Sequence, residues 1–145
     1  MAILGIDYGV KKIGLAKSDH YNKIALPLEI LINKSREELL FYLKNICTEY
    51  GVKKVVVGVP VSMQHSEKKT FGRQKNLNNK QMQEVLRFVN WLKENIDLPV
   101  EIEDERLSTK MAQGLRKGIV KKGPDDAVAA MLILQSYLDR LGKFN

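Results

Sequence analysis

Acidic residues stand at three places where apolar runs begin or end in a chain that is otherwise basic: Asp7, the Asp104–Glu105 pair and the Asp125–Asp126 pair. Carboxylates gathered from separate segments are what two-metal phosphodiester cleavage requires. The ions sit about 4 Å apart, activate the attacking water and neutralise charge on the leaving oxygen. Magnesium suits such a set because it takes a few carboxylates and completes its shell with water and substrate phosphate. Asp7 is the most informative of these acids. It closes the apolar run Ile3-Leu4-Gly5-Ile6 and precedes Tyr8-Gly9-Val10-Lys11-Lys12, a basic turn that contains a glycine. Taken singly, each acid has a plainer reading. Asp7 can be a turn-former, Asp125 and Asp126 can favour a helix dipole, and Asp104–Glu105–Arg106 can be a surface ion pair.

The cations are distributed in a way that favours a polyanionic partner. The formal net charge is +7 and the pI about 9.5. Lys68, Lys69, Arg73, Lys75 and Lys80 follow one another without an intervening acid, as do Arg106, Lys110, Arg116, Lys117, Lys121 and Lys122. Acid-free basic segments read as phosphate-contacting loops, with a solvated face as the alternative. His20 and His65 are isolated and lack partners at zinc spacing. Neither GxxxxGK[ST] nor GxGxxG occurs, so no P-loop or dinucleotide fingerprint is present.

The elements that must position these residues follow from periodicity. Ile3–Asp7 and Lys12–Ser18 read as strands of a hairpin turning at Gly9. A third strand falls within Ile24–Ile32, where Pro27 marks an irregularity or a sheet edge. Ser35-Arg36-Glu37-Glu38 is a capping box opening a helix with apolar residues at Leu39, Leu40, Leu43, Ile46, Cys47 and Tyr50 and a terminating Gly51. Lys54–Val59 is a β-branched run suited to a strand covered on both faces, ended by Pro60. Val61–Asn79 is polar, basic and aperiodic and reads as a long loop. Met82, Val85, Leu86, Val89 and Leu92 mark a second helix, and Pro99–Glu103 a short strand. Ser108 can cap a further helix ending near Gly118. The last helix starts after Pro124 and carries Ala127, Ala130, Met131, Leu134, Leu138 and Leu141; Leu132 and Ile133 make it nearly apolar all round, as for a helix packed on two sides.

The order β-β-β-α-β-α-β-α-α predicts a mixed sheet with helices on its faces. At 145 residues the chain is expected to be one domain, residues 1–145. The first residues lack the basic flank of a signal peptide, and no apolar run approaches a membrane span. The single cysteine, Cys47, falls on the apolar stripe and is expected as a buried thiol, which fits a reducing, cytoplasmic setting.

Four segments carry a resemblance that covers nearly the whole chain. They are Gly5–Asp19 (GIDYGVKKIGLAKSD), Val57-Gly58-Val59-Pro60, Asp104-Glu105-Arg106-Leu107-Ser108-Thr109, and Asp126–Leu138 (DAVAAMLILQSYL). In this order they resemble the YqgF (RuvX) family. The resemblance implies an RNase H-like α/β fold with a mixed five-stranded sheet flanked by helices. It implies a Mg2+- or Mn2+-dependent nuclease related to Holliday-junction resolvases, linked to maturation of the 5′ end of the 16S ribosomal RNA precursor. Carried over, Asp7, Glu105 and Asp126 are the catalytic metal ligands. Asp104 competes with Glu105, and Asp125, where the family often has an apolar residue, competes with Asp126. Strand alternation through Glu103 would put Glu101, Glu103 and Glu105 on one side and Ile102 with Asp104 on the other.

The expected function is therefore cleavage of precursor ribosomal RNA, with Lys11, Lys12, Arg73, Arg106 and Lys110 contacting the nucleic acid, as a monomer or homodimer whose expected partners are RNA and the ribosome. The alternatives are resolution of branched DNA by the same chemistry and, in a different class, a non-catalytic nucleic-acid-binding adaptor. An actin-like phosphate-binding lobe ranks below these, because that chemistry needs two lobes. Tyr8 can stack on a base or pack in the core.

Overall fold

A computed structural model describes residues 1–60, 72–104 and 125–142, with the backbone alone at 72–79, 125 and 126. Five strands form one mixed sheet in the order β3-β2-β1-β4-β5. They are β1 (Ala2–Asp7), β2 (Lys12–Ser18), β3 (Ala25–Ile32), β4 (Val52–Val59) and β5 (Val100–Asp104). β1, β2 and β3 are antiparallel neighbours, whereas β1, β4 and β5 run parallel. The parallel set brings the carboxyl ends of three strands to one edge of the sheet. Pro27 lies on an edge strand, and the β2–β3 register shifts between Leu15 and Ala16 opposite it, since proline cannot donate to a ladder.

Three helices cover the sheet among the described residues: α1 (Arg36–Tyr50), α2 (Gly72–Asn95) and α3 (Asp125–Gly142). α1 and α2 share one face. Leu39, Leu43 and Ile46 pack there with Val85, Phe88, Val89 and Leu92 against Leu4, Ile6, Ile13, Leu15, Val55 and Val57. α3 covers the other face, where Ala130, Ile133, Leu134, Tyr137 and Leu138 meet Ile3, Ala16, Ala25 and Val56. β4 is thus covered on both sides, as its β-branched run requires. Cys47 is buried, and burial pushes its thiol up to about 11.

The local signals hold at α1. Ser35 Oγ accepts the Glu38 backbone N–H at 3.2 Å, and Gly51 ends the helix in the left-handed region at φ 61° with its N–H directed at the Cys47 and Thr48 carbonyls. Two expectations need correction. The segment expected as loop to Asn79 is helical from Gly72; it has no apolar stripe to betray it, yet Arg, Gln, Lys and Leu are all good helix formers. The buried stripe of α2 runs through Val85, Phe88, Val89 and Leu92, while Leu86 is 38% exposed, because position 86 lies about 100° around the helix from Val85. α3 buries one broad face on the sheet and leaves Met131 and Leu132 half-buried. The helix expected after Ser108 lies outside the described residues.

α3 lies unusually close to β1. A Cβ built on Gly5 would stand 2.8 Å from Leu134 Cβ and 3.1 Å from the Ala130 carbonyl oxygen. One of those contacts is helix backbone, so relief requires the whole helix to move. Gly5→Ala is expected to destabilise the fold by about 1–3 kcal/mol through overpacking, lowering the melting temperature by roughly 2–8 °C. Thermal unfolding followed by circular dichroism checks this; an unchanged midpoint would mean that α3 adjusts freely.

Candidate active site

Asp7 is the last residue of β1 and is half-buried. Alternation along β1 puts it on the same face as Ile3 and Gly5, beneath α3. Its cross-strand partner on β2 is Gly14. On the other side, Ile6 pairs with Val57, so the next position, Gly58, stands beside Asp7. The carboxylate is thus flanked on both strands by residues without side chains. Any side chain at Gly14 or Gly58 would come about 5 Å from the Asp7 Cβ.

The register of α3 on β1 locates the start of that helix. Gly5 lies under Ala130 and Leu134, and Ile3 packs in the cluster containing Leu138. α3 therefore runs antiparallel to β1. Two residues along β1, from Gly5 to Asp7, advance roughly 6.6 Å, and four residues back along the helix, from Ala130 to position 126, advance about 6 Å. Position 126 shares the i, i+4 row with Ala130 and Leu134, whereas position 125 is rotated by about 100°.

β5 supplies acids to the same face, but they are already engaged. Glu103 pairs with Gly58 across the ladder, which puts its Cα about 10 Å from that of Asp7. Its carboxylate accepts from Ser136 Oγ at 3.0 Å and forms an ion pair with Arg140. It is 9% exposed. Glu101 meets Lys54 Nζ at 2.8 Å and accepts from Tyr137 Oη at 2.7 Å, while Lys54 also donates to Tyr137 Oη at 2.8 Å. The Lys54 hydrogen bond, and then that of Tyr137, holds the Glu101 carboxyl below its ordinary value. These contacts confirm the expected alternation: Glu101 and Glu103 face α3. Asp104, the last residue of β5, is exposed.

The basic turn after Asp7 is braced from a distance. Gly9 is required there, since a Cβ would fall 2.4 Å from the Lys12 carbonyl oxygen. Asn33 Nδ2 donates to the Gly9 carbonyl at 2.9 Å, and the Asn33 N–H donates to the Lys11 carbonyl at 2.9 Å. This tie joins the β1–β2 turn to the approach to α1 and leaves Lys11 and Lys12 exposed. Tyr8 stacks on Phe88 with ring centroids 4.3 Å apart, so it packs against the core.

Of the residues singled out from sequence, Asp7, Lys11 and Lys12 come together at the carboxyl edge of the sheet. Asp126 is fixed in its helical row by backbone alone, as is Arg73 in the first turn of α2. Glu105, Arg106 and Lys110 lie outside the described residues. The segments 61–71 and 105–124, which hold part of the first basic run and all of the second, follow the carboxyl ends of β4 and β5 in the chain. Among the described residues no group of three or more metal-ligating side chains occurs, and no helix is long and apolar enough to cross a membrane. Sequence reasoning missed the pairing of Glu103 with Arg140 and the placement of Arg36 on the aromatic cluster. Their only sequence signals were an acid on the α3-facing side of a strand and a cation in a capping box.

Comparison with known proteins gives a consistent result. The family model described as RuvX, Holliday junction resolvase, matches residues 1–140. A protein of Rickettsia typhi named "Putative pre-16S rRNA nuclease" is 36% identical over 99% of this chain and 88% of its own length. One of Rickettsia felis with the same name is also 36% identical, over 97% and 88%. Among solved structures, Thermus thermophilus RuvC in complex with Holliday junction substrate superposes with a TM-score of 0.57 at 18% identity, covering 98% of this chain and 96% of that one. The Fowlpox virus resolvase bound to Holliday junction DNA gives a TM-score of 0.52 at 13% identity, covering 97% and 99%. At these identities the structural likeness establishes the RNase H-like fold.

The Glu101 contacts make a pH-dependent contribution to stability. Because its folded pKa is depressed, that contribution is fully present above the ordinary value of 4.5 and is lost as pH falls through the folded value. With the two side chains 27% and 45% exposed, solvent screening holds it to about 1 kcal/mol or less. Glu101→Gln should lower the melting temperature slightly at pH 7, and the gap from wild type should narrow as the pH falls below 4.5 and through the depressed folded value. A gap that persists undiminished at low pH would mean the carboxylate charge contributes nothing.

Proposed function

This chain belongs to the RuvX family, and we propose that it is a single-domain, metal-dependent nuclease that cleaves phosphodiester bonds in the 16S ribosomal RNA precursor. The observation that carries the reading is the register of α3 on β1, whose Ala130 and Leu134 meet the strand at Gly5, two residues before Asp7. Support for the RNA substrate comes from the names of its relatives in Rickettsia.

The donor set fits a hard divalent cation. Asp7 offers carboxylate oxygens at a half-buried strand end, and glycines flank it on both neighbouring strands. Oxygen donors of this kind suit Mg2+ or Mn2+. Asp7, Glu105 and Asp126 are the ligands in this reading. Glu105 comes two residues after Glu103 in the chain, and Glu101 and Glu103 are excluded because Lys54 and Arg140 already neutralise them. Bound there, the ions supply a Lewis acid and a lowered pKa for coordinated water.

The protein groups do the rest. Asp7, anchored by the sheet, sets the position of the reacting phosphate. Lys11 and Lys12, held by the Asn33 tie, attract the flanking backbone, and Arg73 in the first turn of α2, with Arg106 and Lys110, adds further phosphate-contacting cations in this reading. A second reading, the same chemistry on branched DNA, is favoured by the description of the family as Holliday junction resolvase. Symmetric junction cleavage needs a two-fold dimer, so sedimentation separates the two readings.

Asp7→Asn should reduce metal-dependent cleavage of precursor 16S RNA by on the order of 100-fold or more, as loss of an inner ligand exceeds the cost of disturbing its support. Equal cleavage by the wild type and this variant would sink the assignment. Asp126→Asn should behave like Asp7→Asn while Asp125→Asn retains activity, because only position 126 lies in the row of Ala130. The reverse pattern would shift the ligand by one residue. Binding without metal-dependent turnover in any form would favour the adaptor.

A further inference from the structure

Beside the proposed site stands a cation that neither the metal chemistry nor the basic segments account for. Arg36 opens α1, is exposed, and lies over three aromatic rings at once. Its Cζ is 4.9 Å from the centroid of Trp91, 5.5 Å from Phe88 and 5.6 Å from Tyr8. The rings form one cluster, with Tyr8 stacked on Phe88 and Phe88 5.8 Å from Trp91. Arg36 Nη2 also donates to Tyr8 Oη at 3.4 Å.

Three features set this side chain apart from an ordinary surface arginine. Packing on the rings removes rotamer freedom in advance, so less is lost when the guanidinium engages a ligand. Among the described residues the ion pairs are Lys54–Glu101 and Arg140–Glu103, so no described carboxylate neutralises Arg36. Tyr8 directly follows Asp7 in the chain, which ties the cluster to the same strand end as the acid. The neighbouring exposed cations are Lys11, Lys12 and Lys34, joined through Asn33. Glu37 and Glu38 share the first turn of α1, so recognition rests on the guanidinium's directed N–H groups more than on bulk charge.

From this geometry we infer that Arg36 is a phosphate clamp, gripping a backbone phosphate of a single-stranded nucleic acid next to the scissile bond. Trp91, Phe88 and Tyr8 are the platform that orients it. The inference rests on the nucleic-acid-cleaving reading of this edge, but its test is binding, which is separable from cleavage.

The experiment measures fluorescence anisotropy of a labelled single-stranded RNA with Asp7→Asn as the parent, over 50–200 mM salt, a range in which phosphate contacts are resolved. Arg36→Ala in that background should weaken binding roughly 5- to 10-fold and reduce the salt slope by about 0.7, the value for one phosphate contact on a single strand. Arg36→Lys should recover the slope and only part of the affinity, because an ammonium cannot reproduce the stacked fork. Lys93→Ala, a charge loss elsewhere on α2, should leave both unchanged. Melting curves verify that each variant is folded. Wild-type affinity in folded Arg36→Ala, full recovery by Arg36→Lys, or an equal loss in Lys93→Ala would each overturn the clamp, as would a parent that does not bind. If Asp7-dependent cleavage is found while Arg36→Ala binds normally, the clamp falls alone. If the wild type cleaves nothing yet Arg36→Ala loses binding in this pattern, the clamp stands and the nuclease reading falls.

Discussion

The contact between α3 and β1 at Gly5 governs the rest of the architecture. A helix can approach a strand this closely only where the strand presents no Cβ, and here the limiting atoms are Leu134 Cβ and the Ala130 carbonyl oxygen. That single point fixes the axial register of an 18-residue helix on the central strand of the sheet. Once the register is set, the helical repeat carries position 126 towards Asp7 without further adjustment. A glycine that would otherwise weaken a strand is thus the element that relates two segments more than a hundred residues apart.

Polar contacts then prevent α3 from rolling about that point. Gln135 is bonded to the β2–β3 connection through the Ala25 N–H at 2.9 Å and the Lys23 carbonyl at 2.9 Å. On the opposite side Ser136, Tyr137 and Arg140 hold Glu101 and Glu103 of β5. The helix is clamped from both edges of the sheet, and the polar atoms involved are satisfied: among the described residues no buried side-chain polar atom is left without a partner. Two acids on this face, Glu101 and Glu103, are committed to the fold by Lys54 and Arg140, and Asp7 ends β1 between the glycines of both neighbouring strands.

The opposite face completes the edge in a different way. Tyr8 carries β1 into the α1–α2 core by stacking on Phe88, and the same aromatic surface supports Arg36. The aromatic core is therefore continuous around the end of β1, with Asp7 on one face of the sheet and Arg36 over the rings on the other. The Asn33 tie to Gly9 and Lys11 stiffens the turn between them.

Much of this was legible in the chain itself, because it depends on local rules. Alternation of period two gave the hairpin of β1 and β2, the Ser35 cap and Gly51 bounded α1, Pro27 marked an edge strand, and the stripe of α1 placed Cys47 inside. The alternation through Glu101 and Glu103 held as well, and the order of motifs along the chain identified the family. Other features were hidden for equally physical reasons. The first turns of α2 have no apolar stripe, and Phe88 outranked Leu86 only because the sheet lies on its side of the helix. Glu103 and Arg140 are 37 residues apart, a separation across which no periodicity operates. Arg36 looked like the second residue of a capping box until folding brought three rings beneath it. The sequence by itself determined the five strands, the cap and stop of α1 and the acid that ends β1. Tertiary structure alone decided that Glu101 and Glu103 are neutralised, that Arg36 is held on three rings and that α3 meets β1 at Gly5, because those depend on distances between segments that the chain does not encode locally.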